Sequence, residues 1–117
     1  MQPKTPKLLD DIRDAAVFIR QITDGKTLDA YRADRVLRQA VERNFEILGE
    51  AVGRLARTDP ETAARIGDHP QIIAFRNVLI HGYDLVDDVQ VWGVITHDLP
   101  RLEQQVTQLL GETPPLP

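Results

Sequence analysis

The longest regular pattern in this sequence is a single apolar stripe between residues 34 and 57. Its members recur every three or four residues, at an average of about 3.6, so they share one face of an α-helix. Asp34 is a suitable N-cap for this helix, and Thr58-Asp59-Pro60 is a suitable end. A helix of this length must bury its stripe against other helices, which favours an all-α fold. The stripe consists of Leu37, Val41, Phe45, Leu48, Val52 and Leu55.

Helical spacing also dominates the rest of the chain, and no stretch alternates as a half-buried strand would. Three further long helices are predicted, over residues 5–23, 69–82 and 88–111, each opened by a capping residue, a proline or both. Short helical elements are predicted at residues 27–31 and 60–66. Four long helices joined by short connections predict an up-and-down four-helix bundle with short extra helices.

Two proline-containing regions modify this scheme. Pro100 falls inside the last helix, where it should free the carbonyl of Thr96 and kink the helix. The tail at residues 114–117, Pro-Pro-Leu-Pro, cannot be helical and is expected to be flexible. A chain of 117 residues is too short to divide into two cores, so residues 1–113 are predicted to form a single helical domain.

The composition limits the classes of function. The chain has no cysteine, which excludes disulfides, thiolate catalysis and cysteine-ligated metals. No apolar run approaches the roughly 20 residues that span a bilayer, and the N-terminus lacks a secretory signal, so a cytoplasmic location is expected. A formal net charge of -4 disfavours broad, sequence-independent wrapping of nucleic acid, although it allows a local basic cleft.

The three histidines differ in their neighbours. His69 precedes Pro70 at a helix start, and His97 lies among apolar helix positions, so both are interpreted as structural or solvent-exposed. Neither has a second ligand at a spacing typical of metal binding, and neither a metal nor another cofactor is predicted. His81 differs because it shares a short segment with other polar side chains.

That segment, from Arg76 to Tyr83, reads Arg-Asn-Val-Leu-Ile-His-Gly-Tyr. On a helix Asn77 and His81 are four residues apart and share a face. Arg76 and His81 are five residues apart, about 140° around the helix, so they converge only if the helix loosens near Gly82. A polar helix end, in which both side chains satisfy exposed carbonyls, is the alternative interpretation, and the spacing alone does not decide between the two.

The segment resembles the R-x4-6-H signature of the HEPN superfamily, in the R-x4-H-x-Y form of its HepT-like toxins. Residues 44–51, NFEILGEA, resemble the N-x-E-I-I-G-E-A motif on the long helix of that family. Val91-Trp92 followed by residues 98–102, DLPRL, resembles the final-helix motif W-x4-5-D-L-P-x-L. The three motifs stand in the family's order, and the similarity covers roughly residues 8–110.

This resemblance implies a helical homodimer that cleaves RNA without a metal ion, with Arg76 and His81 as its catalytic residues. It also implies a partner, a minimal nucleotidyltransferase antitoxin (MNT, or MntA), which transfers AMP from ATP to Tyr83 and could join it in a larger hetero-oligomer. The chain would then be the toxin of a type VII-like toxin–antitoxin pair. The alternative is a non-catalytic HEPN module that dimerises and docks a nucleotidyltransferase, but the intact Arg76 and His81 favour the enzyme.

Metal-free RNA cleavage can use the 2′-OH as an internal nucleophile, and it needs a base, an acid and positive charge at the phosphate. Histidine titrates near neutral pH, which suits His81 for proton transfer. Arg76 is permanently charged and suits phosphate stabilisation, while Asn77 is predicted to orient His81 or the phosphate. One such histidine per chain leaves the acid and base roles to be shared, so a two-fold dimer with both Arg76–His81 sets in one cleft is expected.

Three residues of the other motifs have predicted supporting roles. Glu50 could pair with Arg76 and orient it, or remain a solvated carboxylate, and both interpretations stay open. Asn44 lies close to the apolar stripe, where a buried hydrogen bond is expected. Trp92 is expected to pack in the core or at an interface.

Overall fold

The computed structural model describes residues 1–112. The expected tail at residues 114–117 lies outside the described residues, as does residue 113. Within residues 1–112 the regular structure is entirely helical. The elements are α1 Thr5–Thr23, α2 Leu28–Ala33, α3 Arg35–Thr58, α4 Pro60–Ala64, α5 His69–His81, a 3-10 turn Tyr83–Leu85, α6 Asp88–Gly93, a π-helical turn Val94–Asp98 and α7 Leu99–Gly111.

The four long helices α1, α3, α5 and α7 pack together, which confirms the all-α bundle. Thr5, at the start of α1, donates a 2.7 Å hydrogen bond to Asp59, just beyond the end of α3. Arg20, near the end of α1, pairs at 2.9 Å with Glu103, near the start of α7. Because these contacts join the end of one helix to the start of another, α3 and α7 both run antiparallel to α1.

The predicted stripe of α3 forms the centre of the core, and each of its six members is at most 7% exposed. This stripe packs on the apolar face of α1. α7 also packs on α1 and completes the core. α5 packs on α3 but buries only Leu79 fully. The remaining apolar residues of α5 are half-buried or exposed, so one face of this helix is left without a covering element in residues 1–112.

Local capping explains where most helices begin. The side chain of Thr27 accepts a hydrogen bond from the Ala30 N–H, and that of Asp34 accepts one from the Leu37 N–H, as N-caps do. Asp68 departs from this pattern before α5, because its backbone is left-handed (φ 62°) and its side chain makes no cap. Its carboxylate pairs instead with Arg101 on α7.

The predicted interruption at Pro100 takes the form of a π-helical turn. Residues 94–98 precede the proline, and the Leu99 N–H donates to the carbonyl of Val94, five residues back. A π turn widens the helix by one residue and so makes room for a ring that would clash in a regular α-helix.

No helix within residues 1–112 is both long enough and apolar enough to cross a membrane.

The buried Asp59 carboxylate ties the N-terminal segment to the start of α4. It accepts hydrogen bonds from the hydroxyls of Thr5 and Thr62, both at 2.7 Å, and from the backbone N–H groups of Gln2 and Thr62, both at 3.2 Å. These hydrogen bonds, led by the one from Thr5, hold the pKa of Asp59 well below its ordinary value.

Replacing Asp59 by Asn should lower the free energy of unfolding by about 1.5–3 kcal/mol at neutral pH, because a charged acceptor of four hydrogen bonds is lost. The depressed folded-state pKa means that this stabilisation is present above the ordinary value of 3.8 and is lost as the pH falls below it. Chemical denaturation at pH 7 and pH 3 measures both effects. The exposed Asp14→Asn serves as control, and an equal loss of stability in both variants at pH 7 would contradict this role for Asp59.

Candidate active site on α5 and α3

The motif residues of α5 point in different directions. Leu79 faces the core, and Arg76 lies three residues earlier, about 60° away around the helix. His81 lies two residues after Leu79, about 160° away. Accordingly, the Arg76 side chain is only 26% exposed, whereas His81 is exposed. Within one chain, therefore, the guanidinium lies against α3 and the imidazole faces outward.

The loosening expected near Gly82 begins only after His81. The Gly82 N–H still donates to the Val78 carbonyl at 2.9 Å, so α5 stays regular through His81. The loosening does not turn the imidazole toward Arg76. Its effect is on Tyr83, which lies in the following 3-10 turn with its side chain 80% exposed.

Arg76 is held by two neighbours. Its Nη2 pairs with Oε2 of Glu50 at 3.0 Å, and its Nη1 donates to Oδ1 of Asn77 at 3.1 Å. Its Nε is buried and has no hydrogen-bond partner among residues 1–112. The guanidinium thus donates one hydrogen bond and makes one ion pair, and hydrogens on both terminal nitrogens remain for a ligand.

Glu50 connects two arginines. Its Oε1 accepts from Nε of Arg54 at 3.1 Å, one turn further along α3, while its Oε2 binds Arg76. The hydrogen bond from Arg54 and, after it, the charge of Arg76 lower the pKa of Glu50. Of the two interpretations open from sequence, the structure therefore places Glu50 in the ion pair with Arg76.

Gly49 sets the distance between α3 and the base of Arg76. A Cβ at residue 49 would lie 2.7 Å from Cγ of Arg76 and nearer still to its Cβ, closer than carbon atoms approach in folded proteins. The atoms concerned are the first of the Arg76 side chain, which cannot move without the helix. Only glycine lets α5 lie on α3 at this point.

The guanidinium of Arg76 faces a polar groove of about 280 Å³ between α1, α3 and α5. Arg43 and Arg54 also line this groove, which His81 does not line. Arg43 pairs with Glu46 at 3.2 Å, and Arg54 shares the carboxylate of Glu50 with Arg76. Asp11 lines the groove as well, so three guanidinium groups and three carboxylates meet there.

The remaining candidate residues have structural environments. Asn44 is half-buried and its amide donates to the Ala40 carbonyl at 2.8 Å, close to the expectation of a buried hydrogen bond. Trp92 packs on the buried Tyr31 ring, with centroids 5.4 Å apart. His69 is half-buried at the start of α5, and His97 is exposed in the π turn, remote in sequence from the motif. Within residues 1–112 no group of three or more histidine, aspartate or glutamate side chains is placed to hold a metal ion.

Comparison with known proteins identifies the family. Residues 12–109 match the model of a family described as Ribonuclease HepT-like. The chain belongs to the HepT-like ribonuclease family. All three motif segments of this HepT-like chain fall inside the matched range, so the resemblance inferred from them is confirmed.

Relatives of this HepT-like chain carry the same kind of name. A protein of Caldanaerobacter subterraneus subsp. tengcongensis, provisionally named an RNase, is 32% identical over 108 residues, which cover 92% of this chain and 96% of the relative. A protein of Thermococcus cleftensis named "Probable ribonuclease HepT" is 30% identical, covering 86% of this chain and 91% of that one. A further provisionally named RNase, from Methanocaldococcus jannaschii, is 28% identical over 84% of this chain and 89% of its own length. The comparison with solved structures gave no significant match.

Two residues of the site were not singled out from the sequence. Arg54 follows Glu50 by four residues, and this spacing is a known signal for an ion pair on a helix. Gly49 is an isolated glycine inside a strongly helical pattern, which is a signal of close packing. Neither signal indicates that the side chain packed on this part of α3 is that of Arg76 from α5.

Replacing Gly49 by Ala should lower the free energy of unfolding by about 1–3 kcal/mol, because the new Cβ overlaps the base of Arg76. Gly93→Ala is the matched control, since a Cβ there meets nothing within 4 Å. We expect that control to be neutral or to stabilise by about 0.4–1 kcal/mol. Thermal and chemical denaturation of both variants measure the difference, and an equally tolerated Gly49→Ala would refute the close contact.

Proposed function

We propose that this protein is a metal-independent endoribonuclease, the toxin of a type VII-like HEPN/MNT toxin–antitoxin pair, with Arg76 and His81 as its catalytic residues. The observation that carries the proposal is the Arg76 guanidinium, held between Glu50 and Asn77 at the edge of a polar groove in a HepT-like chain. The names of the relatives support an activity on RNA.

Arg76 binds the scissile phosphate and stabilises the negative charge that develops on it. A guanidinium that already lies in a fixed position loses little freedom when the phosphate arrives, and preorganised charge of this kind is the largest contribution in many enzymes. Glu50 and Asn77 are positioning residues, because they hold the two terminal nitrogens while leaving hydrogens for the phosphate oxygens. Arg54 keeps Glu50 charged and in place.

His81 transfers protons, and its outward position requires a second chain. The α5 face around His81 carries Ala74 and Val78, which are exposed in the single chain, with Val78 40% exposed. Exposed apolar side chains grouped on one face are typical of a protein–protein interface. A two-fold axis beside this face would bring the outward-facing His81 of both chains toward one cleft. The homodimer expectation requires both Arg76 side chains to reach the same cleft.

The reaction then balances without a further reactant. One His81 removes the proton of the ribose 2′-OH, and the 2′-oxygen forms a bond to the adjacent phosphorus. The bond from phosphorus to the 5′-oxygen breaks, and the partner's His81 protonates that oxygen as it leaves. The products are a 2′,3′-cyclic phosphate and a free 5′-OH, and the two histidines have exchanged protonation states.

Tyr83 is the proposed site of inhibition. Its side chain is 80% exposed and makes no hydrogen bond within residues 1–112, so the phenol is accessible to a modifying enzyme. A nucleotidyltransferase antitoxin would join the phenol oxygen to the α-phosphorus of ATP and release pyrophosphate. The added phosphodiester places bulk and negative charge near the RNA-binding cleft, where it opposes the RNA phosphates. We place both proteins in the cytoplasm, with RNA and ATP.

RNA cleavage in the presence of EDTA tests the catalytic assignment. We expect the wild type to cleave and His81→Ala to lose at least about 100-fold in rate, since proton transfer contributes roughly 10²- to 10⁴-fold. His97→Ala, an exposed histidine outside the motif, should retain the wild-type rate. Mixed dimers with one His81→Ala chain should fall far below half of the wild-type rate, because their single shared cleft then lacks one of its two histidines.

Three results would count against this scheme. Retention of about half of the rate in the mixed dimer would mean that each chain works alone. Equal rates for His81→Ala and the wild type would remove His81 from the chemistry. If neither the wild type nor any variant cleaves RNA, the alternative is favoured, a dimerisation module that docks a nucleotidyltransferase.

Adenylylation tests the role of Tyr83. Protein treated with the nucleotidyltransferase and ATP should lose RNA cleavage in proportion to the fraction modified, as quantified by intact mass. Tyr83→Phe keeps the ring but has no oxygen to modify, so it should stay active after the same treatment. Cleavage by fully adenylylated protein at the unmodified rate would contradict the proposed inhibition.

A further inference from the structure

A second groove lies on the other side of α5 from the Arg76 groove. It has a volume of about 420 Å³ and lies where α5 and α7 diverge, since each packs on another helix but they do not pack closely on each other. This volume lies within the range of small-ligand sites. Because Phe75 lines this groove and its neighbour Arg76 lines the other one, the two grooves share one short stretch of α5.

The floor of this second groove is apolar and includes two aromatic rings. Phe45 and Phe75 meet edge to face, with ring centroids 5.3 Å apart. Leu99 and Leu102 from α7 form the opposite wall. Such a floor favours a flat, largely apolar ring over a hydrated ion.

The rim carries side chains that can form hydrogen bonds with the edge of a ring. Gln71 and Gln90 line the rim, and within residues 1–112 their side-chain amides make no hydrogen bond. Gln105 uses its Oε1 to accept from the Gly67 N–H at 3.2 Å, which leaves its amide hydrogens for another acceptor. Each amide offers both a donor and an acceptor, as the edges of nucleobases do.

Charge on the rim favours a base over a phosphate. Asp68 and Asp98 flank Arg101. Its guanidinium pairs with the carboxylate of Asp68, and its Nη2 lies 3.9 Å from Oδ1 of Asp98. Two carboxylates against one guanidinium repel a phosphate, but they accept hydrogen bonds from an exocyclic amino group. Both carboxylates are placed by unusual backbone, Asp68 by its left-handed conformation and Asp98 by the π turn. Features of this kind cluster at functional sites.

We propose that this groove binds one unpaired nucleobase of the RNA substrate, and that it prefers a base with an exocyclic amino group over uracil. The inference rests on the proposed ribonuclease activity for the identity of the ligand. Sequence-specific recognition of RNA relies on unstacked bases held by aromatic and hydrogen-bonding side chains. With a formal net charge of -4 the chain gains little from nonspecific phosphate attraction, so a base contact supplies the affinity that charge does not. The RNA strand would then cross the outer face of α5, a helix roughly 10–12 Å in diameter, so that the base enters on one side and the phosphate of a nearby nucleotide reaches Arg76 on the other.

Free nucleosides test the groove independently of cleavage, because they carry no phosphate for Arg76. We expect amide chemical shift changes on titrating ¹⁵N-labelled protein with cytidine, adenosine or guanosine, concentrated at residues that line the groove. Cytidine and uridine form a matched pair, since they differ only at C4, an amino group against a carbonyl oxygen, and at the adjacent N3, an acceptor against an N–H donor. Cytidine should bind roughly tenfold more tightly than uridine.

Variants locate the site. Gln71→Leu should weaken cytidine binding at least about fivefold, and Asp98→Asn should reduce the preference for cytidine over uridine. Gln104→Leu is the control, an exposed glutamine on α7 that does not line the groove. No shift changes at millimolar nucleoside would overturn the proposal. It would also be overturned by changes confined to the Arg76 groove, or by groove signals that move only with protein concentration, because a second copy would then cover this face.

The same measurements separate this inference from the proposed function. RNA cleavage without nucleoside binding refutes the base-binding groove and leaves the ribonuclease assignment intact. Nucleoside binding in the groove without any RNA cleavage supports a nucleobase site and refutes the ribonuclease. If both occur, Gln71→Leu should raise KM and flatten the base preference beside the cleavage position, while kcat stays near that of the wild type. An unchanged cleavage pattern would show that the groove does not read the substrate.

Discussion

Arg76 can lie on α3 only because residue 49 has no side chain. The contact determines how near α5 comes to the core and which part of α5 is buried. With α5 seated at this distance, Arg76 reaches the carboxylate of Glu50, and the opposite face of the helix turns away from the chain. The guanidinium in its groove and the outward imidazole are therefore two results of one close helix contact.

The electrostatics of the site follow from the order of residues along α3. Arg54 and Arg76 would repel each other if they shared a groove without a carboxylate between them. Glu50 pairs with both, one on each oxygen, and the hydrogen bond from Arg54 and the charge of Arg76 lower its pKa and so favour its charged form. Exposed ion pairs contribute little to stability, but here the pair fixes the position of the guanidinium that we propose binds phosphate. Asn77 completes the arrangement through a side chain adjacent in sequence, so the helix itself supplies the second anchor.

Much of the fold could be predicted because its signals are local. The stripe of α3, the caps at Thr27 and Asp34 and the stop after residue 23 depend on periodicity and on single side chains. Asp68 shows the limit of such local signals, since its carboxylate pairs with Arg101 on α7 instead of capping α5, the helix that Asp68 precedes. Such a preference depends on tertiary packing, which local patterns do not contain.

The candidate site was less accessible to sequence reasoning, for a related reason. The spacing of Arg76 and His81 correctly indicated that they do not share a helix face. The partner of Arg76 stayed open between two interpretations, because it lies on another helix more than twenty residues away in sequence. The second groove had no sequence signal at all, since its lining residues come from separate helices and meet only where α5 and α7 diverge.

The π turn at Val94–Asp98 also bears on how this chain can vary in length. A π turn holds one residue more than the corresponding α-helical turn, so it acts as an inserted residue absorbed within a continuous helical run. Removing one residue there would restore α-helical geometry and leave the helix after it in nearly the same orientation, so Leu102, Val106 and Leu109 would keep the core face of α7. Removing a residue from a regular part of the run would instead rotate everything after it by about 100°. The extra residue of this segment is therefore required by the ring of Pro100 and not by the packing of the last helix.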